Sequence, residues 1–351
     1  MKEFYPWSTT VYEKSMKDYK AGRLSILDVQ LSGGCNYACI YCDSPDRNIG
    51  SNINLNHLEN LIKQEQGRYD WMFICGLGEP LYGENKDSFL RLLSICKDNE
   101  IKCSVFTNGS NVDELVLSYV QNEVLYPVIK IDTFSLDLAK ELYGTSQAKQ
   151  TLGTIETLLM IAHKQKKPCC NIGASIVPST KNINEIPSIV KICIENDVFP
   201  LIGQLEYAGK AKDNYHELLL TKDQLYVLKN EVNNIVGTQY KVPICPSVIA
   251  GIHMSSNGFV TVDKRSGLSC GWFWLETPQT EKLCNVNTLS SLIEAETKIL
   301  EYRKMIIADI TVFCNKIEEH PFGGCGGNIK DLINEYVKMQ NAILNTSKKV
   351  N

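Results

Sequence analysis

The sequence predicts an α/β protein whose main unit is a partial, TIM-like (β/α)6 barrel. Between residues 24 and 207, short apolar runs typical of strands alternate six times with amphipathic helical segments. This alternation favours parallel strands joined by right-handed crossovers. After residue 243 the sequence becomes loop-rich and continues to contain cysteines, so we expect a small cysteine-rich C-terminal domain.

The positions of the strands and helices follow from these runs. Apolar residues at helical spacing mark three connecting helices, around residues 55–62, 152–162 and 183–193. The six strands are placed at Ile26–Leu31, Trp71–Cys75, Lys102–Phe106, Val128–Ile131, Asn171–Val177 and Leu201–Glu206.

The segments outside the barrel carry signals of their own. Thr221 with Gln224 predicts a capping box at the start of a helix. Asn257-Gly258 between apolar runs predicts a hairpin. Further helices are expected over Leu289–Met305 and Ile329–Leu344. The predicted units are an N-terminal extension (1–23), the barrel (24–207), a connector with a helix (208–243), the C-terminal domain (244–328) and a final helix with a tail (329–351).

The composition indicates a folded protein of the cytoplasm. The chain has 351 residues, 44% hydrophobic and 22% charged, with a net charge of −4. Nothing in it indicates a nucleic-acid-binding patch, an apolar span that could cross a membrane, or a secretion signal. Fourteen cysteines in such a chain favour metal ligation in a reducing compartment over a disulfide framework.

The most informative motif contains Cys35, Cys39 and Cys42 in the spacing C-x3-C-x2-C, directly after the first predicted strand. Three thiolates can hold three irons of a [4Fe-4S] cubane and leave the fourth iron without a protein ligand. An open position is where a metal centre does chemistry. The alternative is zinc, but a zinc site usually pairs C-x2-C with a second pair of ligands.

A second pattern is the placement of polar and glycine-rich clusters at the ends of the predicted strands. In barrels of this kind chemistry collects at the carboxyl ends of the strands, so these residues are the candidates for binding a cofactor or substrate. They are Gly76, Gly78 and Glu79 after strand two, Thr107 and Asn108 after strand three, Lys130 and Asp132 at strand four, Ser175 in strand five, and Glu206 at the end of strand six.

The cysteine triplet, the aromatic Tyr41 before its last cysteine, the GxGEP loop at 76–80 and the TNG turn at 107–109 together resemble the radical S-adenosylmethionine (SAM) superfamily. The resemblance spans about residues 24–207. The region after 243 resembles the SPASM/Twitch auxiliary-cluster extension. It departs from a full SPASM domain, because only Cys314 and Cys325 stand where that domain has a dense four-cysteine set. It is therefore closer to a Twitch domain with one auxiliary [4Fe-4S] cluster.

The resemblance implies a role for each candidate. The motif cysteines would ligate the cluster, whose open iron binds SAM; one electron cleaves SAM to a 5′-deoxyadenosyl radical, which abstracts a substrate hydrogen atom. Tyr41 would lie against the adenine, or serve as a packed aromatic of the loop, and Gly76, Gly78 and Glu79 would meet the methionine amino group. Thr107 and Asn108 would contact methionine or ribose, or make plain turn contacts. Lys130, Asp132, Ser175 and Glu206 would face ribose, carboxylate or substrate, or serve as buried structural residues.

The resemblance also suggests ligands for the auxiliary cluster. These are Cys245, Cys270, Cys314 and Cys325, with Cys284 as a non-ligand or as a replacement for one of the four. A structural zinc site is the rival for this set. Cys75, at the end of the second strand, is either a small buried residue or a hydrogen-atom donor in the cavity.

We expect a cytoplasmic radical SAM enzyme of the oxidoreductase type that oxidises or cross-links a peptide or protein with help from the auxiliary cluster. An electron donor such as flavodoxin or ferredoxin is implied, and neither nucleic acid nor membrane is an expected partner. One alternative is a dehydrogenase or rearrangement enzyme acting on a small molecule, such as a sugar or cofactor precursor. An alternative of another class is a zinc-stabilised binding module.

Overall fold

A computed structural model describes residues 1–44, 49–74, 76–242, 244–269 and 280–306. The strands in this part of the chain are β1 (Ile26–Val29), β2 (Trp71–Ile74), β3 (Lys102–Thr107), β4 (Leu125–Lys130), β5 (Ile172–Ile176), β6 (Val198–Ile202), β7 (Gly251–Met254), β8 (Phe259–Asp263) and β9 (Thr280–Asn285). The helices are α1 (Thr9–Lys20), α2 (Leu55–Gln64), α3 (Glu84–Asp98), α4 (Glu114–Gln121), α5 (Leu136–Tyr143), α6 (Ala148–Gln165), α7 (Ile186–Glu195), α8 (Ala211–Leu218), α9 (Lys222–Val236), α10 (Ser247–Ala250) and α11 (Leu292–Ile306).

The described strands form one sheet in the order β6-β5-β4-β3-β2-β1-β7-β8-β9. Strands β1 to β6 pair in parallel with their sequence neighbours, each after a helical connection, which confirms the predicted partial barrel. The sequence did not indicate that β7 joins this sheet. It pairs in parallel with β1, so that the hairpin of the C-terminal region continues the barrel wall.

Two of the predicted strands were placed too late in the chain. Strand β4 begins at Leu125 rather than Val128, and β6 spans Val198–Ile202 rather than 201–206. Each true strand contains a proline, which sequence reasoning treats as a boundary. Pro127 is tolerated because β4 pairs with β5 only from Val128 onward, while Pro200 lies on the sheet's terminal strand β6. Glu206 therefore lies in the loop beyond β6 and does not close the strand.

The N-terminal segment closes the floor of the barrel. A short 3-10 helix, Tyr5–Trp7, precedes α1, and the Tyr5 amide bonds the carbonyl of Cys170 at 2.9 Å. The buried ring of Phe4 lies 6.2 Å from that of Phe199 on β6. Trp7 packs at the same distance, 6.2 Å, from Phe106 on β3. Phe4 and Trp7 are thus part of the barrel's apolar core, which their position before the first strand did not reveal.

Three local predictions outside the barrel are confirmed. Thr221 caps α9 in a capping box with Gln224, whose amide lies 3.2 Å from the Thr221 hydroxyl. Gly258, with φ of +76°, makes the turn between β7 and β8. Helix α11 begins three residues later than expected, at Leu292 rather than Leu289. The helix predicted over 329–344 lies outside the described residues. Among the helices that are described, none has the length and apolar character needed to span a membrane.

Candidate active site

A cavity of about 300 Å³ lies at the carboxyl end of the barrel strands. The loops after β1, β2, β3 and β6 and the ends of β4 and β5 all contribute to it. Asp132, by contrast, is not part of the described lining. Cys75, Cys270, Cys314 and Cys325 lie outside the described residues. The sequence-predicted residues that the cavity brings together are Cys35, Cys39, Cys42, Tyr41, Gly76, Gly78, Glu79, Thr107, Asn108, Lys130, Ser175, Glu206 and Cys245.

Backbone hydrogen bonds fix the cysteine loop over the barrel mouth. The amides of Ala38 and Ile40 donate to carbonyls at the end of α5, at 2.9 and 3.0 Å. On the other side, the Ala211 amide at the start of α8 donates to the Cys42 carbonyl at 3.0 Å. The ring of Tyr37 stacks on Tyr143, with 5.6 Å between centroids. The loop is therefore held from both sides before any ligand binds.

The donor set fits an iron–sulfur cluster. Three sulfurs line one cavity, and the Tyr37 amide lies 3.4 Å from the sulfur of Cys35 as a donor, a contact of the kind that stabilises cluster sulfur. Within the described ranges, no three His, Cys, Asp or Glu side chains converge as ligands of one metal ion. A cubane does not require such convergence, because each of its cysteines binds a different iron. Burial raises the pKa of Cys39 to about 12, and nearby Lys130 opposes the rise, so cluster binding must displace a proton.

The GxGEP loop is packed against the cysteine loop. The Glu79 amide donates to the Gly34 carbonyl at 2.8 Å. Gly78 has a φ of +69°, and a Cβ there would lie 2.5 Å from the carbonyl oxygens of Ser32 and Gly34. Only glycine allows this approach. The GxGEP loop thus packs directly against the segment that leads into the cysteine loop.

Glu79 joins the loops after β2 and β3. Its carboxylate accepts hydrogen bonds from the Thr107 hydroxyl at 2.5 Å, the Asn108 amide at 2.7 Å and the Leu81 amide at 3.1 Å. Burial nevertheless raises the pKa of Glu79 to about 7, because desolvation outweighs these bonds. A buried acid of this kind gains from a cationic partner in the cavity.

Tyr41, Lys130 and Asp132 form a buried group beside the cysteine loop. The Tyr41 hydroxyl donates to Asp132 Oδ2 at 2.5 Å, and the Lys130 ammonium lies 3.3 Å from the same oxygen. That ammonium also lies 4.4 Å from the centre of the Tyr41 ring. The second oxygen, Oδ1, accepts from the Val177 amide at 2.7 Å. Asp132 therefore holds two cavity residues in place from outside the lining.

Sequence reasoning missed residues that position these loops. The buried side chain of Asn85, in the first turn of α3, bonds the backbone of Ser32 at 3.0 and 3.1 Å and the Glu79 carbonyl at 3.1 Å. Asn36, within the cysteine motif, accepts from the Asn108 side chain at 3.0 Å. The role of Asn36 could have been predicted from its position inside the cysteine motif. The role of Asn85 could not, because an asparagine near the start of a helix is common.

The cysteines proposed for the auxiliary cluster are only partly described. Cys245 is buried and lines the cavity with Ser247 and Val248, next to β7. Cys284 lies half-buried in β9, in register with Val260 of β8, where burial raises the pKa of its thiol. The two cysteines are thus in different surroundings, and Cys245 is the one that borders the cavity.

Comparison with known proteins identifies the barrel. A family model of the radical SAM superfamily matches residues 29–172, which include the cysteine triplet, the GxGEP loop and the TNG turn. The barrel of this chain is a radical SAM domain. None of the curated proteins compared with the chain matches it.

Solved structures share the fold of this chain. SuiB of Streptococcus suis bound to precursor peptide SuiA has a TM-score of 0.56 at 16% identity, over 83% of this chain and 68% of SuiB. SuiB bound to S-adenosylmethionine gives 0.57 at 17% identity, over 81% and 68%. The protein anSMEcpe with bound AdoMet and the Cp18Cys peptide gives 0.54 at 16% identity, over 81% and 83%. The similarity therefore extends past the family match, into the region of β7 and beyond.

Proposed function

We propose that this protein is a radical SAM enzyme that modifies a peptide or protein substrate. The observation that carries the proposal is the meeting of Cys35, Cys39 and Cys42 with the loop of Gly78 and Glu79 in one cavity, inside a radical SAM domain. When bound, a [4Fe-4S] cluster supplies the electron that cleaves SAM to a 5′-deoxyadenosyl radical, which removes a hydrogen atom from the substrate.

The protein's own residues hold and shield these groups. The three motif cysteines are the cluster ligands, and the Glu79 carboxylate is the partner for the ammonium group of SAM. Loss of water from the buried Glu79 makes this pairing favourable, since a cation offsets the desolvation that raises the pKa of the acid. Lys130 supplies a positive charge close to the thiols of Cys39 and Cys42, and it would face the carboxylate of SAM.

A peptide substrate is favoured because structures with this fold have bound peptides, as the SuiA and Cp18Cys complexes show for their own proteins. We assign Cys245, Cys270, Cys314 and Cys325 to one auxiliary cluster in a Twitch-like C-terminal domain. Cys245 fits this assignment because it borders the same cavity as the cysteine triplet. The auxiliary cluster would accept an electron from a substrate radical or bind the substrate, and a flavodoxin- or ferredoxin-type protein would reduce the first cluster.

Anaerobic reconstitution tests the proposal. The expected holoprotein is brown, contains about eight irons per chain for two cubanes, and converts SAM to 5′-deoxyadenosine in the presence of dithionite. Cys39→Ala should abolish that conversion, and the matched change Cys169→Ala, at a half-buried cysteine outside the cavity, should not. A colourless zinc protein, or deoxyadenosine formed at the normal rate by Cys39→Ala, would contradict the assignment.

A further inference from the structure

Asn108 is the residue at which the loops after β1, β2 and β3 meet. Its backbone amide donates to Oε2 of Glu79 at 2.7 Å, and its side-chain Nδ2 donates to Oδ1 of Asn36 at 3.0 Å. Its own Oδ1 accepts from the Ser110 amide at 2.9 Å, and its carbonyl accepts from the Thr151 hydroxyl at 2.6 Å. Every polar atom of this buried residue therefore makes a hydrogen bond within the chain.

These bonds link Glu79 to the cysteine loop by two routes. The first is direct, because the Glu79 amide donates to the carbonyl of Gly34, the residue before Cys35, at 2.8 Å. The second runs from the Glu79 carboxylate through Asn108 to Asn36, the residue after Cys35. Both neighbours of the first motif cysteine are thus connected to the same buried acid.

Asn36 is also held on the side away from Asn108. Its Nδ2 donates to Oγ of Ser110 at 2.8 Å and to Oε1 of Gln147 at 2.7 Å. Gln147 directly precedes α6, so one of these partners belongs to the start of a long helix of the barrel. A displacement of Asn108 would therefore reach Cys35 through a side chain whose donors and acceptor are all engaged.

A cation bound at Glu79 would strengthen this chain of bonds. A carboxylate accepts a hydrogen bond from an amide more strongly than a neutral acid does, and an ammonium group beside Glu79 favours the charged form. The bond from the Asn108 amide would gain most directly, and hydrogen bonds in one buried network reinforce one another. Cation binding at Glu79 and ordering of the segment around Cys35 should then favour each other, since such coupling is reciprocal.

We propose that Asn108 and Asn36 are positioning residues that couple binding of the ammonium group of SAM at Glu79 to the placement of the cysteine loop. Asn108 acts through its two partners and does not itself contact SAM. The inference rests on the proposed function in taking Glu79 as the partner of that ammonium group. It goes beyond that function by giving two asparagines a role and by making their effect depend on the Glu79 carboxylate.

A double-mutant cycle in SAM affinity tests the proposal. Affinities are measured by calorimetry on the anaerobically reconstituted full chain without reductant, so that SAM is bound and not cleaved. The cycle comprises the wild type, Asn36→Ala, Glu79→Gln and the double variant. Asn230, exposed on α9, supplies the control Asn230→Ala in the wild type and in Glu79→Gln. Iron content is recorded for every sample, so that the affinities refer to loaded protein.

In the wild-type background, Asn36→Ala should raise the Kd for SAM roughly fivefold or more. In the Glu79→Gln background the same change should raise it by less than about twofold, because the carboxylate through which Asn36 acts is gone. Asn230→Ala should leave the Kd unchanged in both backgrounds. Equal fold-changes from Asn36→Ala in the two backgrounds overturn the proposal, because they would mean that Asn36 acts independently of Glu79.

A second variant keeps the test decisive if Asn36→Ala does not take up iron. Asn108→Ser removes the Nδ2 donor to Asn36 and keeps the backbone amide that bonds Glu79, so it should show the same dependence on the Glu79 carboxylate. Its effect on the Kd being equal in both backgrounds overturns the proposal as well. A wild type that fails to bind SAM would overturn the proposed function and this inference together, whereas a wild type that binds and cleaves SAM but shows no coupling overturns the inference alone.

Discussion

The phenol of Tyr41 donates a hydrogen bond to Oδ2 of Asp132 across 2.5 Å, and both residues are buried. The bond joins the cysteine loop, one residue before Cys42, to the end of β4. It acts together with the Lys130 ammonium, 3.3 Å from the same oxygen. The sequence drew attention to Tyr41 for its aromatic ring. The structure shows that its hydroxyl also anchors the cysteine loop.

Tyr41→Phe should lower the free energy of unfolding of the metal-free protein by about 1–3 kcal/mol, because a buried charged acceptor loses a donor. Urea denaturation in anaerobic, reducing buffer measures this. Tyr226→Phe is the control, since Tyr226 is 67% exposed on α9 and should change stability little. If both variants unfold at the same urea concentration, the hydroxyl of Tyr41 contributes nothing to the loop.

Gly78→Ala should destabilise the chain by about 2 kcal/mol or more beyond Gly67→Ala, and it should weaken SAM binding. The two glycines have similar φ angles, +69° and +74°, so both variants bear the same backbone strain. Only at Gly78 does the new methyl group meet backbone oxygens, at 2.5 Å, whereas nothing lies within 4 Å at Gly67. Thermal unfolding and SAM titration of both variants isolate the contact between the two loops. Equal losses of stability in the two variants would show that the backbone at Gly78 does not closely approach the carbonyl oxygens of Ser32 and Gly34.

The raised pKa of Glu79 predicts a pH dependence of stability. The folded chain keeps the Glu79 proton up to about pH 7, whereas the unfolded chain releases it near pH 4.5. Between these values the folded state binds more protons, so the stability of the apoprotein falls as the pH rises and levels off above about 7. The full effect is about 3 kcal/mol, at 1.36 kcal/mol per pKa unit.

Glu79→Gln should remove this slope, because the amide does not titrate. Urea midpoints between pH 4.5 and 8 for the wild type, Glu79→Gln and the exposed control Glu114→Gln provide the measurement. Since the ammonium of SAM would favour the charged acid, SAM should stabilise the wild type more than Glu79→Gln above pH 7. Parallel pH profiles for the wild type and Glu79→Gln would mean that Glu79 is already charged in the folded apoprotein.

Removal of one ligand of the auxiliary cluster should distinguish the contributions of the two clusters. Cys245→Ala should lower the iron content from about eight toward about four per chain while SAM cleavage without substrate continues. Cys314→Ala, at a position outside the described residues, should behave in the same way. Cys284→Ala should keep its iron, because the proposed set of four ligands does not include Cys284, which lies in β9. Full iron content in Cys245→Ala would remove this residue from the auxiliary site.

The sequence was informative where chemistry depends on local spacing. The cysteine triplet, the GxGEP loop and the TNG turn each lie on one short segment, and strand periodicity put all three at the same end of the barrel. Strand ends were less predictable. Pro127 and Pro200 lie inside strands, although proline has no backbone N–H group, because no hydrogen bond from that position is needed in the sheet. The position of Glu206 was misjudged for that reason.

Contacts between distant segments could not be predicted. Nothing near β1 indicates that β7, more than two hundred residues later, pairs with it. The same is true of Phe4 and Trp7, which pack against Phe199 of β6 and Phe106 of β3, residues that lie far away in the sequence. In the sequence Asp28 is a single polar residue inside an apolar run. Its partners Ser247 and His253 become visible only once β7 is in place.

The pairing of β1 with β7 also bears on where this protein can be divided. A fragment ending at residue 243 would retain the triplet and the SAM-facing loops, yet it would expose an unprotected edge along β1 and leave Asp28 without the two side chains that orient it. Such a fragment should self-associate. The barrel and the hairpin thus share one sheet, and any segment put in place of residues 244–351 would need to bring an equivalent seventh strand.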